Sequence, residues 1–246
     1  MSFFEFLTSF NKEPLRSNLE SINAPKQITE AMHEEYLDLL KLYFIVGGMP
    51  GVVKEYKETD DLNKVRALQR GLIDGYQSDF AKYAQLSEAI KISNIWESIP
   101  AQLAKENNKF MFNVIKSGAR AREYESALQW LVSAGLVYRL INIENPELPI
   151  RAHLVRNNFK IFFLDVGLLG AFCDLNLKLV LDEEELFSTF KGYFVENYVM
   201  QELIANGKER LAYWTSSARA EVDFILEYQA NIYPLEVKAG TSKKKT

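Results

Sequence analysis

Cysteine is nearly absent from this chain. The single Cys173 excludes a disulfide framework within the chain and the cysteine-rich zinc sites. A reducing, intracellular setting fits that usage. Histidine is almost as scarce: His33 and His153 are the only two, and no HExxH-type pair exists. Catalytic groups, if present, must therefore be carboxylates and lysine. Long apolar runs are missing too. Tyr43 to Val53 is broken by Gly47, Gly48 and Pro50, and Ile161 to Phe172 carries Asp165. Neither reaches the ~18 residues of a membrane span. The N-terminal MSFFEFLTSF is not built as a signal peptide. The expectation is a soluble, cytoplasmic protein with no membrane partner. A GxSxG elbow, a Cys-His pair and a GxGxxG turn after a strand are also lacking. So is a GxxxxGK[ST] phosphate loop, so this chain is not expected to bind ATP.

What the chain does have is apolar mass. Hydrophobic residues make up 48%, enough to offset the entropy of ordering. The net charge of −4 argues against an indiscriminate nucleic-acid binder. Its distribution is uneven, however. Residues 105 to 160 hold nine Lys/Arg and five Asp/Glu, a net of +4, leaving −8 for the rest. A basic middle between acidic flanks suits a phosphate-facing patch.

Periodicity divides the chain into three expected parts, within an α+β class. Residues 1–85 read as a helical region. Met32, Tyr36, Leu39, Leu40 and Tyr43 recur at helical spacing over Ile28 to Phe44. The GGMPG run at 47–51 then breaks the pattern. A second helix is expected over Asp61 to Tyr83, capped by Asp60 or Asp61. Residues 86–165 read as helices followed by a hairpin, the order of a winged helix. Pro100 should end or kink the first of these helices, and Gly135 should stop the second. Lys116, Arg120, Arg122 and Arg139 are the candidate DNA contacts, with Arg151 and Arg156 also on the hairpin. The alternative is a solvated basic face. Residues 166–246 read as a helix from Leu186 to Ala205, then strands over Leu211–Thr215, Glu221–Tyr228 and Asn231–Val237.

The chemistry concentrates in those last strands. In Pro234-Leu-Glu-Val-Lys238, Glu236 and Lys238 share one strand face, because side chains alternate with period two. Asp223 precedes Glu236 by thirteen residues, a distance that suits neighbouring strands of a hairpin. Two close carboxylates repel unless a cation lies between them. Oxygen ligands favour Mg2+ or Mn2+, and a lysine beside them can orient water or offset charge on a phosphate. Glu196 falls on the apolar stripe of the long helix, where a carboxylate is costly unless paired or metal-bound. The bland alternative makes Glu236 and Lys238 an ion pair and Glu196 a surface residue.

The order helix-Glu, strand, strand-Asp, Glu-x-Lys resembles the PD-(D/E)xK nuclease superfamily, with Val222 in place of the motif's proline. The resemblance implies a restriction-endonuclease-like α/β C-terminal domain. It maps Asp223, Glu236 and Lys238 onto the catalytic positions, Glu196 onto the helix acid, and Asp223, Glu236 and Glu196 onto the metal ligands. More widely, the phrases IVGGMPGVV, YQSDFAKY, IWESIPAQLAKENNKF, ALQWLVSAGLV, FKIFFLDVGLL, FKGYFVENYVMQEL, YWTSSARAEVDFIL and YPLEVKAG are similar to the C-terminal region of a bacterial and archaeal family of AAA-type ATPases. That implies an ATPase core in the parent protein and possible homo-oligomers. It also implies a nuclease core that is cut short near Gly240. Two functions stay open: a metal-dependent deoxyribonuclease, or a non-catalytic nuclease-like module that binds DNA or a protein partner.

Overall fold

A computed structural model describes residues 1–22, 28–103, 109–177, 191–216 and 220–238. The expected helix start at Leu186, the polar Ser217 and the terminal lysines Lys243 to Lys245 lie outside these. The described residues form ten α-helices and a five-stranded mixed sheet. They fall into two units, Met1–Ile73 with Asp165–Leu186, and Asp74–Leu164 with Phe187–Thr246.

The first unit is helical. It contains α1 (Phe3–Ser9), α2 (Glu13–Ser21), α3 (Glu30–Val46), α4 (Pro50–Thr59), the first half of α5 (Leu62–Tyr83) and α9 (Val166–Phe172). Ser2 and Glu5 close a capping box on α1, which satisfies two helix-end groups at once. The GGMPG break acts as expected. α3 stops at Gly47, whose φ is +76°, and α4 restarts at Pro50. Buried Asp165 fastens this corner: it accepts Gly48 N–H at 2.6 Å and caps α9 through Leu168 N–H at 2.9 Å. A Cβ on Gly167 would lie 2.5 Å from the Gly47 nitrogen, so only glycine allows this approach. No single described helix is long and apolar enough to cross a membrane; α3 and α4 pass that test only together, across a 115° bend.

The second unit starts within α5 and continues through α6 (Leu86–Leu103), α7 (Phe112–Ile115), α8 (Ala121–Ser133), β1 (Val137–Ile143), a 3-10 turn (Ile150–His153) and β2 (Leu154–Phe163). It ends with α10 (Lys191–Ala205), β3 (Leu211–Thr215), β4 (Glu221–Tyr228) and β5 (Asn231–Leu235). Trp96 anchors its helical core, with the rings of Phe80 and Phe163 at 5.6 and 5.0 Å. α6 runs one turn past Pro100, where an end or kink is expected. Proline removes a single backbone bond, and the buried Ile99, Gln102 and Leu103 carry the helix on. α8 stops as Gly135 requires. Leu136 N–H reaches Leu131 C=O and Gly135 N–H reaches Val132 C=O, both at 3.0 Å, the Schellman pattern.

Helices followed by the β1–β2 hairpin reproduce the expected order of the middle region. The sheet order is β2-β1-β3-β4-β5, with β1 parallel to β3 and the other pairs antiparallel. The hairpin and the C-terminal strands therefore share one sheet, which spans the division expected at residue 165.

Candidate functional site

Three elements of the second unit converge on Lys160 of β2. This side chain is 1% exposed. Its ammonium lies 3.2 Å from Glu196 of α10 and 2.6 Å from Glu221 of β4. It also sits 5.3 Å above the Tyr213 ring. α10 is held in place beside it by Asn197, which is fully buried. Asn197 accepts Phe163 N–H at 2.7 Å and donates to Phe163 C=O at 3.2 Å. That double bond to the β2 backbone fixes the rotation of the helix, and with it the direction of the adjacent Glu196.

A bulge positions the β4 acids. Ala212 pairs with Ile225 and Trp214 with Val222, so two steps along β3 match three along β4. The extra residue in β4 breaks strict alternation. Val222 and Ile225 both pack into the cluster of Ile143, Ile150 and Ala212, while Glu221 meets Lys160 and Phe224 stacks near Phe162, with ring centres 5.8 Å apart. Asp223 lies in the bulge, half-buried, and accepts Val237 N–H at 2.7 Å.

The electrostatics follow this packing. Burial pulls the Lys160 ammonium down, but Glu196 and Glu221 more than offset it, so its pKa stands above the ordinary lysine value. Burial pushes the Glu196 carboxyl up; Lys160 opposes this, and the nearby Asp223 and Glu221 charges add to it. The Tyr213 phenol is raised by burial and by Glu221. Its hydroxyl donates to Asn158 at 2.7 Å.

The hairpin expected between Asp223 and Glu236 is formed. Tyr228 faces Asn231 across Gln229 and Ala230, both with positive φ, as tight hairpin turns require. Phe224 pairs with Leu235, which brings Asp223 level with the start of Glu236-Val-Lys238. Beyond Leu235, however, Glu236 and Lys238 are exposed and pair with each other. The Glu236 hydrogen bond, then the charges of Glu236 and Asp223, outweigh desolvation and hold the Lys238 ammonium above its usual range. The structure thus brings Asp223 toward Glu196 on one side and Lys238 on the other, and leaves Glu236 at the surface.

Among the described residues no group of three or more His, Cys, Asp or Glu side chains is arranged to hold a metal ion. A buried ammonium, that of Lys160, stands between the carboxylates of Glu196 and Glu221. Lys160 and Glu221 were not among the residues the motif selects. The available signal was a lone cation inside the apolar run Phe159-Lys-Ile-Phe-Phe163.

Of the candidate DNA contacts, Lys116, Arg120 and Arg122 are exposed. Arg139 is committed elsewhere. It pairs with Glu125 at 2.5 Å, donates to Arg156 C=O at 3.0 Å and lies 3.8 Å over the Phe159 ring.

Together these features define a mixed α+β protein with an acid-lysine cluster buried between a helix and a sheet. Residues 37–179, more than half of the chain, match the family described as domain of unknown function DUF8612, and the chain belongs to that family. Residues 191–246 match the domain of unknown function DUF4143, typically a C-terminal domain of AAA-type ATPases. No curated protein and no solved structure matches the chain.

Proposed function

We propose that the chain is a non-catalytic, nuclease-like module that serves an AAA-type ATPase and meets DNA through the N-terminal end of α8. The observation that carries this reading is Lys160. A fixed ammonium among Glu196 and Glu221 supplies the positive charge that a nuclease would draw from a divalent cation, and supplies it without an open coordination position. The pairing of Glu236 with Lys238 at the surface supports the same conclusion, since each neutralises the other away from the cluster. Lys116, Arg120 and Arg122 support the DNA-facing part. All three are exposed, and among the described residues none takes part in an ion pair.

The test combines binding and cleavage. Duplex DNA should bind with a steep salt dependence. Arg120→Ala with Arg122→Ala should weaken binding to all sequences alike and reduce the salt slope by about 2, near one unit per lost phosphate contact. Supercoiled plasmid should remain intact in Mg2+ or Mn2+. DNA binding untouched by the double substitution would remove α8 from the interface. Metal-dependent cleavage abolished by Asp223→Ala would establish the hydrolytic reading in place of this one.

A further inference from the structure

Arg139 has little surface left for a phosphate, and the groups that claim it belong to different elements of the second unit. It stands on β1 with 14% of its side chain exposed. Nη1 donates to Glu125 of α8 at 2.5 Å, and Nη2 donates to the Arg156 C=O of β2 at 3.0 Å. Cζ lies 3.8 Å over the centre of the Phe159 ring. Nε is buried with no acceptor among the described residues. Phe159 is itself buried in an aromatic cluster. Phe110 stacks on it with ring centres 5.3 Å apart, and Phe112, the first residue of α7, meets it edge-on at 6.3 Å. One guanidinium is therefore joined to α8 by charge and to β2 by a backbone bond and a ring. Through Phe159 it is joined to the start of α7 as well.

The chemistry suits arginine alone. Its planar fork can donate in two directions while its face packs on an aromatic ring, which an ammonium cannot do. Glu125 is 48% exposed, and a pair at the surface contributes little when both partners are free to move. Here the arginine is held in place by the ring and the carbonyl, so Glu125 meets a fixed partner. Glu125 lies three residues after Arg122, on the same face of α8, and Arg120 is the residue that precedes the helix. Lys116 closes α7. The three exposed cations thus sit on the segments that Arg139 and Phe159 fasten to the β1–β2 hairpin. A binding surface in its proper place for only part of the time loses affinity in proportion to that fraction.

We propose that Arg139 is a positioning residue for the DNA-facing end of α8: it locks α8 to the hairpin and makes no phosphate contact. This role rests on the DNA reading above, and two measurements on the full chain separate them. Duplex DNA affinity is followed across a salt series, and amide hydrogen exchange is resolved along the chain. Arg139→Met should lower affinity roughly two- to tenfold, by the same factor at every salt concentration. A lost phosphate contact would instead reduce the salt slope by about one unit. Arg139→Lys keeps the charge without the fork, and should weaken binding about as much as Arg139→Met. Exchange over α8 should quicken roughly tenfold in Arg139→Met and in Glu125→Ala, and no further in the double variant, because the two side chains act as one contact. Exchange over α10 should match the wild type, which shows that the fold is intact. Wild-type affinity in Arg139→Lys, a salt slope reduced by Arg139→Met, or α8 exchange unchanged in Arg139→Met would overturn this role and leave the DNA reading standing. A wild-type chain that binds no duplex DNA would overturn both.

Discussion

Replacing Lys160 by methionine isolates what its ammonium does, since the two side chains are similar in length. The lysine is 1% exposed, and the side chains of Glu196 and Glu221 are 12% and 31% exposed. Removing one partner of a buried ion pair costs about 3–5 kcal/mol, because the other charge stays buried without compensation. Glu196 should bear that cost in full. Glu221 can turn toward water, which screens its share. The lower end applies, about 3 kcal/mol near pH 7, or a fall of about 6–12 °C in melting temperature for a domain of this size. The pH dependence carries the sharper signature. The raised pKa of Lys160 means its stabilisation is complete below the ordinary lysine range and lost only as pH climbs through the folded value. The raised pKa of Glu196 works the other way for an acid. The folded state holds that proton more tightly, so stability falls as pH rises through its folded value. Without Lys160 the Glu196 carboxyl rises further. The penalty of Lys160→Met should therefore be largest near neutral pH and shrink as the carboxyls protonate. Urea denaturation at about pH 7 and about pH 4 measures both quantities. A loss under about 1 kcal/mol at neutral pH, or one that does not shrink in acid, would refute this account of the cluster.

Two further expectations concern single carboxylates. Asp165→Ala leaves the buried N–H groups of Gly48 and Leu168 without their acceptor, at about 1–3 kcal/mol each; Asp165→Asn, which keeps one oxygen, should recover part of the loss in the same denaturation assay. Glu227 accepts Ile150 N–H at 3.1 Å and pairs with Arg210 at 2.6 Å, and these contacts hold its carboxyl below the usual range. Its contribution is present above the ordinary glutamate value and lost as pH falls through the folded value, so Glu227→Gln should flatten the acid limb of the stability curve. An unchanged acid limb would show that neither contact favours the charged form.

Much of the local structure was legible because it depends on neighbours in the chain. Gly135 and Gly207 end α8 and α10 with positive φ, as a residue without Cβ invites. Of the two expected caps of α5, Asp60 and Asp61, it is Asp61 that accepts Asn63 N–H at the start of the helix. The β4–β5 hairpin follows from alternation and from the spacing of Asp223 and Glu236. Pro100 does not end α6 at once, because burial of the residues around it outweighs one lost backbone bond. For Arg139, its charge and its place on the hairpin suggest a free cation, whereas Glu125 and Phe159 lie close to it in space.

The Asp223, Glu236 and Lys238 motif shows the division most clearly. The sequence by itself determined that a hairpin would bring the chain at Glu236 level with Asp223, because strand period and turn length are local properties; β5 ends at Leu235, however, short of the expected Val237, and Glu236 lies just past it. The sequence also determined that Glu196 would need a partner, because a carboxylate on an apolar helix stripe cannot stay alone. Only the tertiary structure decided who that partner is. Lys160 comes from β2, three places from β4 in the sheet order, and it reaches Glu196 because Asn197 pins α10 to β2 and a bulge turns Glu221 toward the same point. Charge neutralisation acts through space at a few ångströms, and nothing in the spacing of residues along a chain specifies which distant cation will arrive there.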